Sequence, residues 1–246
     1  MTLEHSLSAT VERSSLREPD SDGDTRLEGN IIVKTNKDQV LELFITQQVL
    51  RGSDGAVVSS SKDEREDSLE PGEELKIDLD SGYFKATAFG DSSKANIDIE
   101  ILGCKADFAQ LPTVGLGDGL PGLYGWNHAI RLGSDVIVES LAVGVKPADD
   151  DGDVRVELRA LIYNSSMHQV PRFTFKARAI AAGGREIDDQ STYEVIAPGE
   201  RKVVEVSFYS IKANRMRGLS IATDATAFSI QGKANACCAI DVVYSS

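Results

Sequence analysis

Aspartates at alternating positions can gather around one hard cation, and this chain writes such a phrase twice. "PDSDGDTRLE" starts at Pro19 and "ADDDGDVRVE" at Ala148. Asp20, Asp22 and Asp24 recur as Asp149, Asp151 and Asp153, with Gly23 against Gly152, at a constant offset of 129. Ca2+ takes roughly six to eight oxygens, so three or four converging carboxylates supply about half its shell. These six aspartates are the candidate metal ligands, and Ca2+ is the candidate ion. An EF-hand is excluded, because its glycine and closing glutamate are misplaced: Ile31 and Ala160 stand where that glutamate is needed. Asp-Gly is equally a tight-turn pair that neighbouring carboxylates keep solvated. Duplication copies a turn as faithfully as a site, so both readings stand.

Other chemistry is sparse. His5, His128 and His168 are the only histidines, and no two are spaced as a catalytic or metal pair. There is no His-Glu-x-x-His, Gly-x-Ser-x-Gly or Walker pattern. Gly117, Gly119 and Gly122 match a dinucleotide fingerprint in letters only, since Pro121 and "LYGW" follow where a helix should start. Cys104, Cys237 and Cys238 form no Cys-x-x-Cys motif, and adjacent cysteines do not normally bond each other, so reduced thiols are expected. No enzyme is expected, and no cofactor beyond the candidate Ca2+.

Two further groups of residues are candidates for partner binding. In "YSIKANRMRGLS", Lys212, Arg215 and Arg217 surround Met216, a basic cluster on an acidic chain. It reads either as a recognition loop or as a longer hairpin with ordinary surface charge. Tyr124 and Trp126, the only tryptophan, sit in a glycine-rich stretch. They either pin that stretch to a domain or offer aromatic faces to a ligand such as a sugar. The net charge of −13 opposes nucleic acid and anionic membranes. No stretch approaches the roughly 20 apolar residues of a membrane helix. The opening residues lack a basic and apolar leader, so a cytoplasmic protein is expected.

The elements that must position these residues are strands. "VRVELRALIY", "RFTFKARAIA" and "KVVEVSFYS" alternate apolar and polar residues, with Asp54-Gly55 and Gly183-Gly184 as turns between such runs. The opening 18 residues read as a short helix or a strand. The acidic echo continues down the chain. Pro71-Gly72-Glu73 faces Pro198-Gly199-Glu200 at an offset of 127, and "ATAFGDSSKAN" from Ala86 faces "ATAFSIQGKAN" from Ala225 at 139. The difference places about twelve extra residues of the second copy around Lys212–Arg217. The expected fold is all-β: two tandem, homologous immunoglobulin-like β-sandwich domains produced by internal duplication. Expected boundaries are 1–107 for the first domain, 108–127 for a glycine-rich linker, and 128–246 for the second domain.

Asn164-Ser165, Gly184 and Pro198-Gly199-Glu200 carry a resemblance. With the strands between them, they make this half similar to FxLYD-type and related bacterial immunoglobulin-like domains, although the Phe-x-Leu-Tyr-Asp string itself is absent. The resemblance implies an adhesive or structural module without a catalytic site. The expected function is therefore non-catalytic: binding a protein partner, or self-assembly into a homo-oligomer, through loops and strand edges. A calcium- or carbohydrate-binding module is the alternative.

Overall fold

Alternating runs become strands along most of the chain. The computed structural model describes residues 7–36, 39–40, 42–65, 67–133 and 135–242. The strands are β1 (Leu7–Leu16), β2 (Asp24–Thr25), β3 (Leu27–Thr35), β4 (Glu42–Arg51), β5 (Val57–Arg65), β6 (Glu74–Asp80), β7 (Phe84–Lys85) and β8 (Lys94–Gly115). They continue as β9 (Gly122–Trp126), β10 (Ile130–Leu132), β11 (Val136–Val145), β12 (Asp153–Asn164), β13 (Val170–Ile180), β14 (Glu186–Ile196), β15 (Arg201–Lys212) and β16 (Ser220–Asp241). Two short 3-10 turns, Ala86–Phe89 and Ala213–Arg215, are the only helical elements among the described residues. No helix there is long and apolar enough to cross a membrane. The fold is thus all-β, with antiparallel sheets throughout.

The chain forms two compact units. Unit 1 takes the described residues up to Lys105 and from Ile230 onward, and unit 2 takes Ala106–Ser229. In unit 1 one sheet runs β1-β3-β6, and the second runs β5-β4-β8-β16. Their inner side chains, among them Leu27, Ile31, Leu43, Ile77, Ile97 and Ile101, share one core. In unit 2 the sheets run β11-β12-β15 and β14-β13-β16-β8, with β9 and β10 both pairing to β11. Val156, Leu158, Phe173, Phe175 and Phe208 lie at its centre, each fully buried. Burying one such side chain contributes roughly 1.5–3 kcal/mol. Apart from β9 and β10, the order of connections is the same in the two units. The chain passes between them twice, once within β8 and once within β16.

Several sequence expectations change here. The opening residues from Leu7 on are strand, and His5 lies outside the described residues. The units divide the chain differently from the expected 1–107, 108–127 and 128–246. The stretch expected as a linker contains the end of β8 and all of β9, and it belongs to unit 2, while residues from Ile230 on belong to unit 1. The two Ala-Thr-Ala-Phe stretches are not equivalent. Ala86–Phe89 is a 3-10 turn, whereas Ala225–Phe228 lies in β16, with Ala225 opposite Phe175 of β13. The structural counterpart of "KATAF" is "KANRM", Lys212–Met216, which keeps the 127-residue offset of the Pro-Gly-Glu turns. The supposed twelve-residue insertion around Lys212–Arg217 therefore does not exist. Seven identical letters of eleven thus link stretches that fold differently.

Candidate functional site

The two acidic turns form the same corner, one per unit. In unit 1 the Asp20 carboxylate accepts hydrogen bonds from the N–H groups of Asp22 and Asp24, both at 2.9 Å. Gly23 makes the turn possible with a φ of 76°, a conformation glycine adopts without penalty. The Lys85 ammonium then sits 2.8 Å from the Asp24 carboxylate and donates to the Asp22 main-chain oxygen at 2.9 Å. Ala86 N–H donates to Gly23 O at 3.0 Å.

Unit 2 repeats each contact. Asp149 accepts from Asp151 N–H at 3.1 Å and from Asp153 N–H at 2.8 Å. Gly152 has a φ of 74°. Lys212 pairs with Asp153 at 2.8 Å and donates to Asp151 O at 3.3 Å, and Ala213 N–H donates to Gly152 O at 2.9 Å. An arginine two residues beyond each turn extends the match. Arg26 lies over Tyr83 and pairs with Glu28; Arg155 lies over Tyr209 and pairs with Glu157.

This geometry gives the three aspartates of each turn separate tasks. The first caps the turn, the second stands exposed, and the third holds a lysine. They do not converge, and among the described residues no three His, Cys, Asp or Glu side chains form a group that could hold a metal ion. The lysine ammonium lies between a carboxylate and a main-chain oxygen, the kind of place a bound cation would need.

Electrostatics follow the hydrogen bonds. The Asp24 N–H holds the Asp20 carboxyl below its ordinary value of 3.8, against a smaller opposing effect of desolvation. Because the folded value is depressed, the contribution to stability is complete above the unfolded value and disappears as pH falls through the folded one. Asp20→Asn keeps an amide oxygen for both N–H groups but cannot titrate. Its melting temperature is expected to change less steeply than that of wild type between about pH 2 and about pH 6. Parallel curves from calorimetry would show that the charge plays no part.

The other candidates scatter. Met216 is buried in the unit 2 core, at 2% exposure, and so is not a surface contact. Arg215 and Arg217 flank it, both exposed. Tyr124 and Trp126 are half-buried against the same core. The Tyr124 hydroxyl donates to Leu120 O at 2.8 Å, and the Trp126 ring lies 4.9 Å from that of His128. His168 is exposed in the loop organised by Asn164. Of the thiols, Cys104 is buried and pushed up to about 12, first by desolvation and then by Glu42, while Cys237 is exposed.

One feature distinguishes the units. In unit 2 the edge strands β14 and β15 pack against each other. In unit 1 the counterpart of β15 is broken into β6 and β7, β5 has 9 residues where β14 has 11, and a groove of about 440 Å3 opens between β5 and β6. Gln47 lines this groove on the inward-facing parity of Leu43, Ile45 and Val49, and is 5% exposed. Its amide nitrogen donates to Asp80 O and to Ser61 Oγ, yet its amide oxygen is buried without a hydrogen-bond partner. Sequence reading passed over Gln47, although a glutamine on an apolar parity is a visible signal. It also passed over Lys85, which the 127-residue offset pairs with Lys212.

No family model matches the chain, and no curated protein matches it. Among solved structures it is similar to "pT26-6p", at 10% identity and a TM-score of 0.29, covering 90% of this chain and 66% of that one. It is also similar to the crystal structure of red sea bream transglutaminase, at 8% identity and a TM-score of 0.25, covering 98% of this chain. The chain spans 66% of the first protein's length and 32% of the second's. Likenesses this distant carry no inference about function.

Proposed function

We propose that the chain is a non-catalytic interaction module: two immunoglobulin-like sandwiches descended from one duplicated unit, binding a protein partner or further copies of itself through loops and strand edges. The observation that carries this reading is the repeated acidic corner. The carboxylates with the best spacing for chemistry are spent, in both units, on closing a turn against the chain's own lysine. Two corners that match contact for contact support common descent more strongly than the Ala-Thr-Ala-Phe letters did. Strand edges and loops are then what remains for recognition, and an open edge presents unpaired backbone groups. The buried Asn164 and the Pro198-Gly199-Glu200 turn, where the Glu200 carboxylate accepts from Ala197 N–H at 2.7 Å, fit the FxLYD-type likeness.

Ca2+ provides the test. Adding Ca2+, or removing it with a chelator, is expected to leave the thermal unfolding midpoint unchanged. A rise with Ca2+ that is lost in Asp22→Ala or Asp151→Ala would sink this reading in favour of a calcium-binding module.

A further inference from the structure

We infer that the open groove of unit 1 receives the Arg215–Arg217 turn of a second copy, so that copies associate head to tail. This rests on the interaction-module reading above and names the partner. The groove wall holds an unmet acceptor, which a donor reaches once the Gln47 amide turns outward. The Gln47 amide oxygen is an orphan acceptor at a site where natural proteins leave few polar atoms unpaired. The Ser61 hydroxyl, the one donor beside it, already gives its proton to Asp80 O at 3.2 Å. The rim asks for positive charge. Three acids (Asp63, Asp78 and Asp80) and two bases (Lys62 and Arg65) line the groove, leaving it net negative. Arg65 pairs with Asp63 at 2.8 Å, Asp80 accepts from Gly82 N–H at 2.9 Å and attracts Arg26, and neither Asp78 nor Asp80 forms an ion pair among the described residues. A guanidinium meets both demands, because it carries charge and five N–H donors in a planar fork.

The chain itself offers such a group in a prepared form. Arg215 and Arg217 are exposed, and neither forms an ion pair among the described residues. Met216 between them is locked in the unit 2 core, and its N–H donates to Ala213 O at 3.2 Å. Gly218 N–H donates to Gly117 O at 2.8 Å and Leu219 N–H to Met216 O at 3.0 Å, fixing the rest of the turn. Gly119 comes so close that a Cβ there would lie 2.4 Å from the Met216 Cβ. Two guanidiniums are thus presented on a rigid backbone, which lowers the ordering cost of binding. The closed counterpart of the groove in unit 2, where β14 meets β15, leaves unit 1 as the acceptor and unit 2 as the donor. Such a contact is heterologous and produces rings or open chains of copies.

Sedimentation of the full chain reads the result. Mass above the 26.5 kDa monomer is expected to grow with concentration and to fall back in high salt. Asp78→Asn with Asp80→Asn, or Arg215→Gln with Arg217→Gln, each weakens association about tenfold or more. Charge reversal gives the sharper test. Arg215→Asp/Arg217→Asp and Asp78→Lys/Asp80→Lys proteins each stay monomeric, and an equimolar mixture associates. All four side chains are on the surface, so circular dichroism is expected to match wild type. A wild-type chain that stays monomeric at every concentration overturns the proposal. So does association that these variants leave untouched, an outcome that would leave the interaction-module reading standing.

Discussion

Phe89→Ala is expected to lower the unfolding free energy by about 3–5 kcal/mol, the cost of deleting a fully buried aromatic ring. Phe89 is 0% exposed, lies in the unit 1 core and meets Phe84 edge-on with ring centroids 5.8 Å apart. It ends the 3-10 turn that follows Lys85, the lysine that closes the acidic corner. At the 127-residue offset its counterpart is Met216, equally buried in unit 2. Met216→Ala is therefore expected to cost about 2–5 kcal/mol. Phe228, the partner suggested by the letters, lies outside the unit 2 core cluster and beneath Arg172, whose guanidinium is 5.5 Å from its ring. Phe228→Ala should cost less than either. Scanning calorimetry of the three variants decides the matter. Equal losses for Phe89 and Phe228, with Met216 neutral, would overturn the structural correspondence.

Asn164→Ala carries the second large effect, about 2–4 kcal/mol, by leaving the buried Ile196 O and the partly buried groups of its loop without their partner. The Asn164 amide nitrogen donates to His168 O at 2.8 Å and to Ile196 O and Ala197 O at 3.1 Å each. Its oxygen accepts from Ser166 N–H at 3.0 Å and from Ser166 Oγ–H at 2.8 Å. Asn164 is 0% exposed and Ile196 O is buried beside it, so water does not take over that bond. One side chain thus ties the loop after β12 to the end of β14. Trp126, packed against the unit 2 core, provides the readout through its emission during denaturant unfolding. A midpoint unchanged from wild type would show that the loop finds other partners.

The strands were legible because their information is local. In β12, Val154, Val156, Leu158, Ala160 and Ile162 point inward at every second position, and the structure buries all five. The turns were legible for the same reason: Gly23 and Gly152 stand where only a positive φ closes the chain. What a turn does with its charges was not legible. Lys85 is 63 residues from Asp22 in sequence, so nothing near "SDGD" announces the ammonium that binds it. The linker was misread because five glycines mask a pairing partner. Gly125 opposes Ala142 in β11, and a Cβ at Gly125 would lie 2.0 Å from Leu141 O, so this glycine is required by strand pairing. The groove was illegible because it depends on how β5 and β6 part in space; Gln47, on the apolar parity of β4, was its one visible mark.

The passage of β8 and β16 between units has a consequence for biosynthesis. Unit 2 is a single uninterrupted stretch, while unit 1 is written as two pieces with all of unit 2 between them. As the chain leaves the ribosome, the second body can finish folding while the first still lacks its closing strand. Completion would thus run from the inside outward, reversing the usual order in which the earlier-made domain folds first.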